Sequence, residues 1–160
     1  MAISIRLARM SDVERIRDLT SQLGYEVDVS TVAARLSSIL LRSDQRFVVA
    51  ELGGPVQGWL HAVISEFIET ERFVTIGGLV VDKSHRMKGI GRRLMEDAEG
   101  WAGEQGCSIV RLWSSTTRTT SHEFYRVLGF TNIKTQYSFI KFLDPIQQRD
   151  VRKFVPTVDQ

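Results

Sequence analysis

The chain holds one cysteine, three prolines and three histidines among its 160 residues. A lone cysteine excludes an intrachain disulfide, so the fold must rest on its apolar core. Cys107 reads as a buried strand residue, and this cysteine usage suits a reducing cytoplasm, the expected location. His61, His85 and His122 are far apart in sequence and form no set at metal-ligand spacing, so no metal is expected. No apolar run approaches the roughly 20 residues that span a bilayer. The start alternates polar and apolar residues and shows no secretory leader, so no membrane partner is expected. The net charge is only +2 and the basic residues are scattered, which argues against nucleic acid as a partner.

What is present is ordinary for a globular protein: 42% hydrophobic and 25% charged residues, enough for one domain with a substantial core. The expected domain covers residues 1–143, because Asp144-Pro145 ends the regular pattern. Residues 144–160 then form a tail, either loose or packed on a partner subunit through Val151, Phe154 and Val155.

Ile3, Ile5 and Leu7 alternate with polar neighbours and predict a first strand. Ser11 is a candidate cap for a helix carrying Val13, Ile16 and Leu19, with Glu14 at the capping-box position. Ser30 or Thr31 is the candidate cap of a second helix. Strands are predicted over Gln45–Leu52, Val56–Ile64 and Phe73–Val81, with residues 65–72 as the connection. The Gly77-Gly78 pair inside the last of these predicts a bulge or a close backbone approach. Ile90, Leu94, Ala98, Trp101 and Ala102 fall on one face of the clearest helix. A strand over Cys107–Trp113 follows, then a short helix from Thr119 or Thr120, then a closing pair, Phe130–Ile133 and Gln136–Phe142. Glycine turns favour antiparallel hairpins early, and the helix between the fourth and fifth strands favours a parallel crossover. The expected fold class is α/β, a mixed sheet flanked by helices.

The most informative stretch is Arg86-Met87-Lys88-Gly89-Ile90-Gly91, between a strand and that helix. Glycines allow close backbone approach, and a helix N-terminus favours an anion, so a phosphate site is expected. The dinucleotide fingerprint needs a third glycine near a first strand, and the Walker A pattern is absent; neither class fits.

This loop, preceded by Gly78-Leu79-Val80-Val81-Asp82, resembles the acyl-coenzyme A signature of the GNAT superfamily of N-acetyltransferases. Ser115, Arg118 and the segment His122-Glu123-Phe124-Tyr125-Arg126-Val127-Leu128-Gly129-Phe130 resemble a second family segment. The resemblance runs from about residue 3 to residue 142 and implies a GNAT-like fold and acetyl-coenzyme A as acyl donor. It implies that backbone N–H groups of Met87, Lys88, Gly89, Ile90 and Gly91 hold the pyrophosphate. Arg86 steadies the loop or touches phosphate; Lys88 and Arg92 meet phosphates or face solvent. Backbone groups of Leu79, Val80 and Val81 match the positions beside the pantetheine arm and the thioester carbonyl. Ser115 stands where many relatives carry asparagine, while Arg118 and His122 match cofactor-side or loop-bracing positions.

Tyr125 matches the residue that protonates the leaving thiolate in the family. Many relatives place a glutamate three residues before the position of Leu79, and here that position is Ile76. Glu66, Glu69 and Glu71 lie just before this strand and offer a base acting through water, a field for a cationic acceptor, or plain solvated carboxylates. Glu66 is the candidate base. The reaction the resemblance implies is direct acetyl transfer to a primary amine. A small molecule is the expected acceptor, with a peptide or protein amine as the other option. A homodimer is expected because many relatives pair. The alternative is a non-catalytic acyl-coenzyme A sensor or interaction module.

Overall fold

The computed structural model describes residues 1–143, so the expectations for the tail lie outside the described residues. The chain divides into two compact units, one of Met1–Trp113 and one beginning at Ser114.

The first unit runs β1 (Ile3–Leu7), a 3-10 turn (Met10–Asp12), α1 (Val13–Ser21), α2 (Val29–Leu40), β2 (Gln45–Leu52), β3 (Val56–Phe67) and β4 (Thr70–Val81). A 3-10 turn (Lys83–His85), α3 (Ile90–Glu104) and β5 (Val110–Leu112) complete it. The strands form one sheet in the order β1-β2-β3-β4-β5. The first four are antiparallel, and β5 joins β4 in parallel through the α3 crossover, as expected. Among the described residues, no helix is long and apolar enough to cross a membrane.

Side chains alternate across a strand, so β3 serves two layers. Trp59 joins Phe47, Val49 and Val80 in a core with Val13 and Ile16 of α1 and Leu36 of α2. Leu60 and Ala62 point to the opposite face, where α3 packs through its predicted stripe of Ile90, Leu94, Ala98, Trp101 and Ala102. Helices α1 and α2 thus cover one face of the sheet and α3 the other.

Helix starts differ from expectation by one to three residues. Asp12, not Ser11, organises the entry to α1, accepting from the Arg9 N–H at 2.8 Å and from Arg6. Asp28, not Ser30 or Thr31, caps α2 by accepting from the Thr31 N–H at 2.7 Å. A carboxylate accepts more strongly than a hydroxyl: Asp28 reaches an orphan donor of α2, whereas Asp12 fastens the turn before α1. The expected connection over residues 65–72 is mostly ladder: Phe67 pairs with Thr70, leaving only Ile68 and Glu69 in the turn. The Phe67 and Phe73 rings lie 5.8 Å apart and the Ser65 and Thr75 hydroxyls 2.8 Å apart, which extends the hairpin.

Strand β5 is shorter than predicted. Cys107 is buried but serves the end of α3, where its N–H donates to the Ala102 carbonyl at 2.8 Å. In the second unit, α4 (Thr119–Val127) forms as expected. The predicted strands over Phe130–Ile133 and Gln136–Phe142 do not form; these residues are irregular. Alternation fixes where side chains point, but a strand also needs a neighbour to satisfy its N–H and C=O groups. Tyr137 and Phe139 are 92% and 91% exposed and face each other at 6.4 Å.

Gly58 of β3 sets the height of α3 above the sheet. A Cβ there would stand 2.8 Å from the Val80 carbonyl oxygen and 3.3 Å from side-chain carbons of Ile90 and Leu94. Gly100 in α3 has no atom within 4 Å of such a position. Gly58→Ala is therefore expected to lose about 1–3 kcal/mol through overpacking. Gly100→Ala is expected to gain up to about 1 kcal/mol from helix propensity. Urea unfolding of the two variants tests this, and equal midpoints would refute the close approach.

Candidate active site

The β4–β5 ladder ends at Ile76 opposite Leu112. Among the described residues, β4 is paired on its β3 side only from Gly77 to Val81. The strand thus keeps a row of backbone groups with no ladder partner, and this row runs straight into the loop at residues 86–91. An open edge of this kind can accept an extended, amide-bearing ligand as a further strand.

The loop itself is shaped for an anion. Met87 and Gly89 have φ of 61° and 84°, while Lys88 between them does not leave the negative side. Such alternation turns successive N–H groups into one concavity. Gly89 adopts this at no steric cost, whereas Met87, its side chain fully exposed, stores about 1 kcal/mol. The first i→i−4 bond of α3 is from the Arg93 N–H to the Gly89 carbonyl, at 3.1 Å. The N–H groups of Ile90, Gly91 and Arg92 precede it and carry the positive end of the helix. Among the described residues, Arg86, Lys88 and Arg92 enter no ion pair, whereas Arg93 is held by Glu96 at 3.1 Å. Three uncommitted cations around a concave row of N–H groups fit a diphosphate.

Asp82 anchors this loop, and the sequence reading did not single it out. It ends β4 and is 8% exposed. Its carboxylate accepts from Ser84 N–H at 2.9 Å and from the Ser84 hydroxyl. It also accepts from Arg15 at 2.7 Å and Gln22 at 3.2 Å, both reaching over from the α1 side. Gln22 returns the contact by accepting the Lys83 N–H at 2.9 Å. Arg15 also donates to the Val56 carbonyl at 2.8 Å and to Gln57 at 3.0 Å. Donation by Ser84, then by Arg15 and Gln22, outweighs burial and holds the Asp82 carboxyl far below the usual carboxylate range.

The second unit carries the other predicted residues. His122 Nε2 lies 2.8 Å from the Ser115 carbonyl and donates to it. The Ser115 hydroxyl lies 3.0 Å from that of Thr117, and the Arg118 N–H donates to the Ser115 carbonyl at 3.1 Å. Ser115, Arg118 and His122 thus build one braced loop at the start of α4. Tyr125 is half-buried, with its ring edge-on to Phe124 at 5.3 Å and Phe130 at 5.8 Å. Burial raises its phenol above the ordinary value against the opposing charge of Arg118, so it keeps its proton at neutral pH.

Glu66 is not brought to this region. It stands six residues along β3 from Leu60, the partner of Leu79, which is about 20 Å of strand. Arg72 pairs with it at 3.0 Å on the exposed hairpin. Strand spacing and the pairing with Arg72 give no support to the expectation that Glu66 is the base. Glu71 lies near the Ser108 hydroxyl at 3.4 Å, and Asp28 is committed as a cap.

Comparison with known proteins gives the family. The acetyltransferase (GNAT) family profile matches residues 13–130, and the chain belongs to that family. It is an acetyl-coenzyme A-dependent N-acetyltransferase. An uncharacterized N-acetyltransferase of Bacillus subtilis, YhdJ, is 27% identical over 114 residues, covering 71% of this chain and 80% of that protein. An uncharacterized N-acetyltransferase of Methanocaldococcus jannaschii, MJ1207, is 31% identical over 94 residues, 58% of this chain and 42% of that longer protein. The fold matches the aminoglycoside acetyltransferase AAC(6')-Iy, solved with a coenzyme A bisubstrate analogue. There the TM-score is 0.80 with 22% identity, over 89% of this chain and 99% of that one. A transcriptional regulator from Bacillus halodurans matches at a TM-score of 0.77 and 22% identity, over 88% of this chain and all of that one.

Asp82 supplies a test of the anchor. Its folded pKa lies below the usual 3.8, so its stabilisation is complete above that value and is lost as pH falls beneath it. Asp82→Asn is expected to cost about 3 kcal/mol at pH 7, because Arg15 is left without its carboxylate. In urea titrations the gap between the variants should hold down to about pH 4 and narrow only below 3.8, by roughly 1 kcal/mol at pH 3, and a gap that does not narrow there would refute the charged anchor.

Proposed function

We propose that the protein transfers the acetyl group directly to a primary amine of a small, polar acceptor, within a ternary complex. The observation that carries this reading is the open edge of β4 leading into the anion-shaped loop at the start of α3. Acetyl-coenzyme A supplies a thioester whose carbonyl carbon is open to attack by a neutral amine. The loop residues Met87–Gly91 hold the diphosphate through backbone N–H groups, with Arg86, Lys88 and Arg92 adding charge. Leu79, Val80 and Val81 offer backbone donors and acceptors that orient the arm and polarise the carbonyl.

Tyr125 is the proposed donor of a proton to the departing sulfur. Its protonated phenol at neutral pH supports the role. A thiolate leaves with a pKa of about 8.5, so protonation helps the step without being indispensable. Ser115, Arg118 and His122 are proposed as the braced loop on the cofactor side. A small polycationic acceptor is favoured by the aminoglycoside acetyltransferases among proteins of the same fold. The hairpin glutamates favour it less, since Glu66 is already paired with Arg72.

Thiol release from acetyl-coenzyme A, followed across kanamycin, spermidine, lysine and a peptide with a free N-terminus, tests the reading. Intersecting double-reciprocal lines are expected for the amine that reacts; parallel lines would overturn direct transfer. Tyr125→Phe is expected to lower kcat about 100-fold, and full activity in that variant would remove its role. Coenzyme A binding without transfer to any amine would favour the sensor reading instead.

A further inference from the structure

The bulge in β4 exposes bare backbone beside a histidine. His61 pairs with Gly78 and Ala62 with Ile76, so Gly77 is the extra residue. A Cβ on Gly78 would meet the Trp59 ring at 2.7 Å, and one on Gly77 would lie 3.6 Å from His61 Nδ1. Two successive β4 positions therefore face the α1 and α2 side, as a bulge dictates. Gly77 is exposed, and it is also where β4 loses β5 as a neighbour. The imidazole thus stands at the first open position of the edge described above.

The neutral ring is held in one tautomer. His61 Nε2 lies 2.7 Å from Gln45 Oε1. An amide oxygen only accepts, so Nε2 carries the hydrogen and Nδ1, on the Gly77 side, keeps its lone pair. Phe47 lies against the ring at 5.5 Å. Strand β2 presents Gln45 and Phe47 to it, and β4 presents two glycines. The Arg42–Asp44 pair beside Gln45 in the chain neutralises itself at 2.7 Å. Burial alone moves the ring's proton affinity, and it moves it below the usual 6.5. Along this face Asp82 is committed to Arg15 and Ser84, while alternation and register place Glu71 of β4 and Arg111 of β5 farther down it, Glu71 near the Ser108 hydroxyl and Arg111 over the Phe73 ring. One ring away, Trp59 is 7% exposed and its Nε1–H has no partner among the described residues, an unusual state for a buried donor.

We propose that His61 Nδ1 is the base that prepares the acceptor amine, in place of the carboxylate absent at Ile76. This rests on the acetyl-transfer reading. The acceptor arrives as an ammonium ion, and Nδ1 takes one of its protons. The freed nitrogen lone pair forms the C–N bond at the acetyl carbonyl carbon, and the C–S bond breaks with its electron pair on sulfur. The amine gives up a second proton, matched by the one that makes the sulfur a thiol. His61 returns its own proton to water, so each turnover releases one proton. Gln45 is a positioning residue that fixes the tautomer, and the Trp59 N–H is a donor for a polar group of the acceptor.

Two measurements decide the matter. Nitrogen-15 NMR of the ligand-free protein is expected to show His61 protonated at Nε2 and titrating below pH 6.5; the opposite tautomer would overturn the proposal without any assay. In steady-state kinetics with the reactive amine of the panel, His61→Gln is expected to lower kcat/KM about 100-fold at pH 7. The acid limb of its pH profile should disappear, the rate should recover as alkaline pH deprotonates the amine, and coenzyme A affinity by calorimetry should not change. Gln45→Glu, which leaves the base in place, is expected to move the acid limb to higher pH. Wild-type turnover with His61→Gln equally active and equally pH-dependent would overturn the role of His61 alone. Absence of thiol release by wild type with every amine would overturn the transfer reading and this one with it.

Discussion

The donor end of the molecule depends on one carboxylate staying charged where β4 stops. Burying an ion is expensive unless its lone pairs are satisfied. Asp82 satisfies them from three directions: from its own following turn, from Arg15, and from Gln22. Because Arg15 also bonds the Val56 carbonyl, the carboxylate ties the entrance of β3, the exit of β4 and helix α1 to a single point. The phosphate-shaped loop begins four residues later, so its path is fixed from behind. A loop fixed in this way can carry a residue such as Met87 in a left-handed conformation.

The same strand changes character along its length. From Val74 to Ile76, β4 is sandwiched between β3 and β5 as an interior strand. Above it, β4 is an edge that leads to a helix N-terminus. Unpaired strand edges are ordinarily a hazard, which proteins cover or blunt. Here the edge is short and ends in an anion site, so the ligand that binds the loop is also the natural cover for the edge. Gly58 completes the arrangement from beneath, since only a missing side chain lets Ile90 and Leu94 bring the start of α3 down beside Val80.

This division explains what was legible in the sequence. The Arg86–Gly91 loop and the stripe of α3 are local patterns, and both stand where the residues placed them. The Gly77-Gly78 pair announced its bulge for the same reason. Asp82 was visible as a letter, but its partners Arg15 and Gln22 are 67 and 60 residues away, and no spacing rule connects them. Glu66 differs in the reverse sense. It is near β4 in sequence, yet a hairpin sends neighbours in sequence to its far end. The closing strands failed because alternation in Gln136–Phe142 names a face and not a partner.

The two substrates of the reaction are thus met by different kinds of structure. A diphosphate and an amide-bearing arm can be gripped almost wholly by backbone, which any sequence with glycines at the right turns provides. An amine acceptor needs side chains that carry or take a proton, and these are read only once β2, β3 and β4 lie side by side. Gln45, His61 and Gly77 are spread over three strands and become neighbours through register alone. Selection on the acceptor can therefore alter such side chains without disturbing the loop. The grip on the donor can stay as it is while the acceptor side changes, and the proton-accepting role of a carboxylate absent at Ile76 can pass to another side chain.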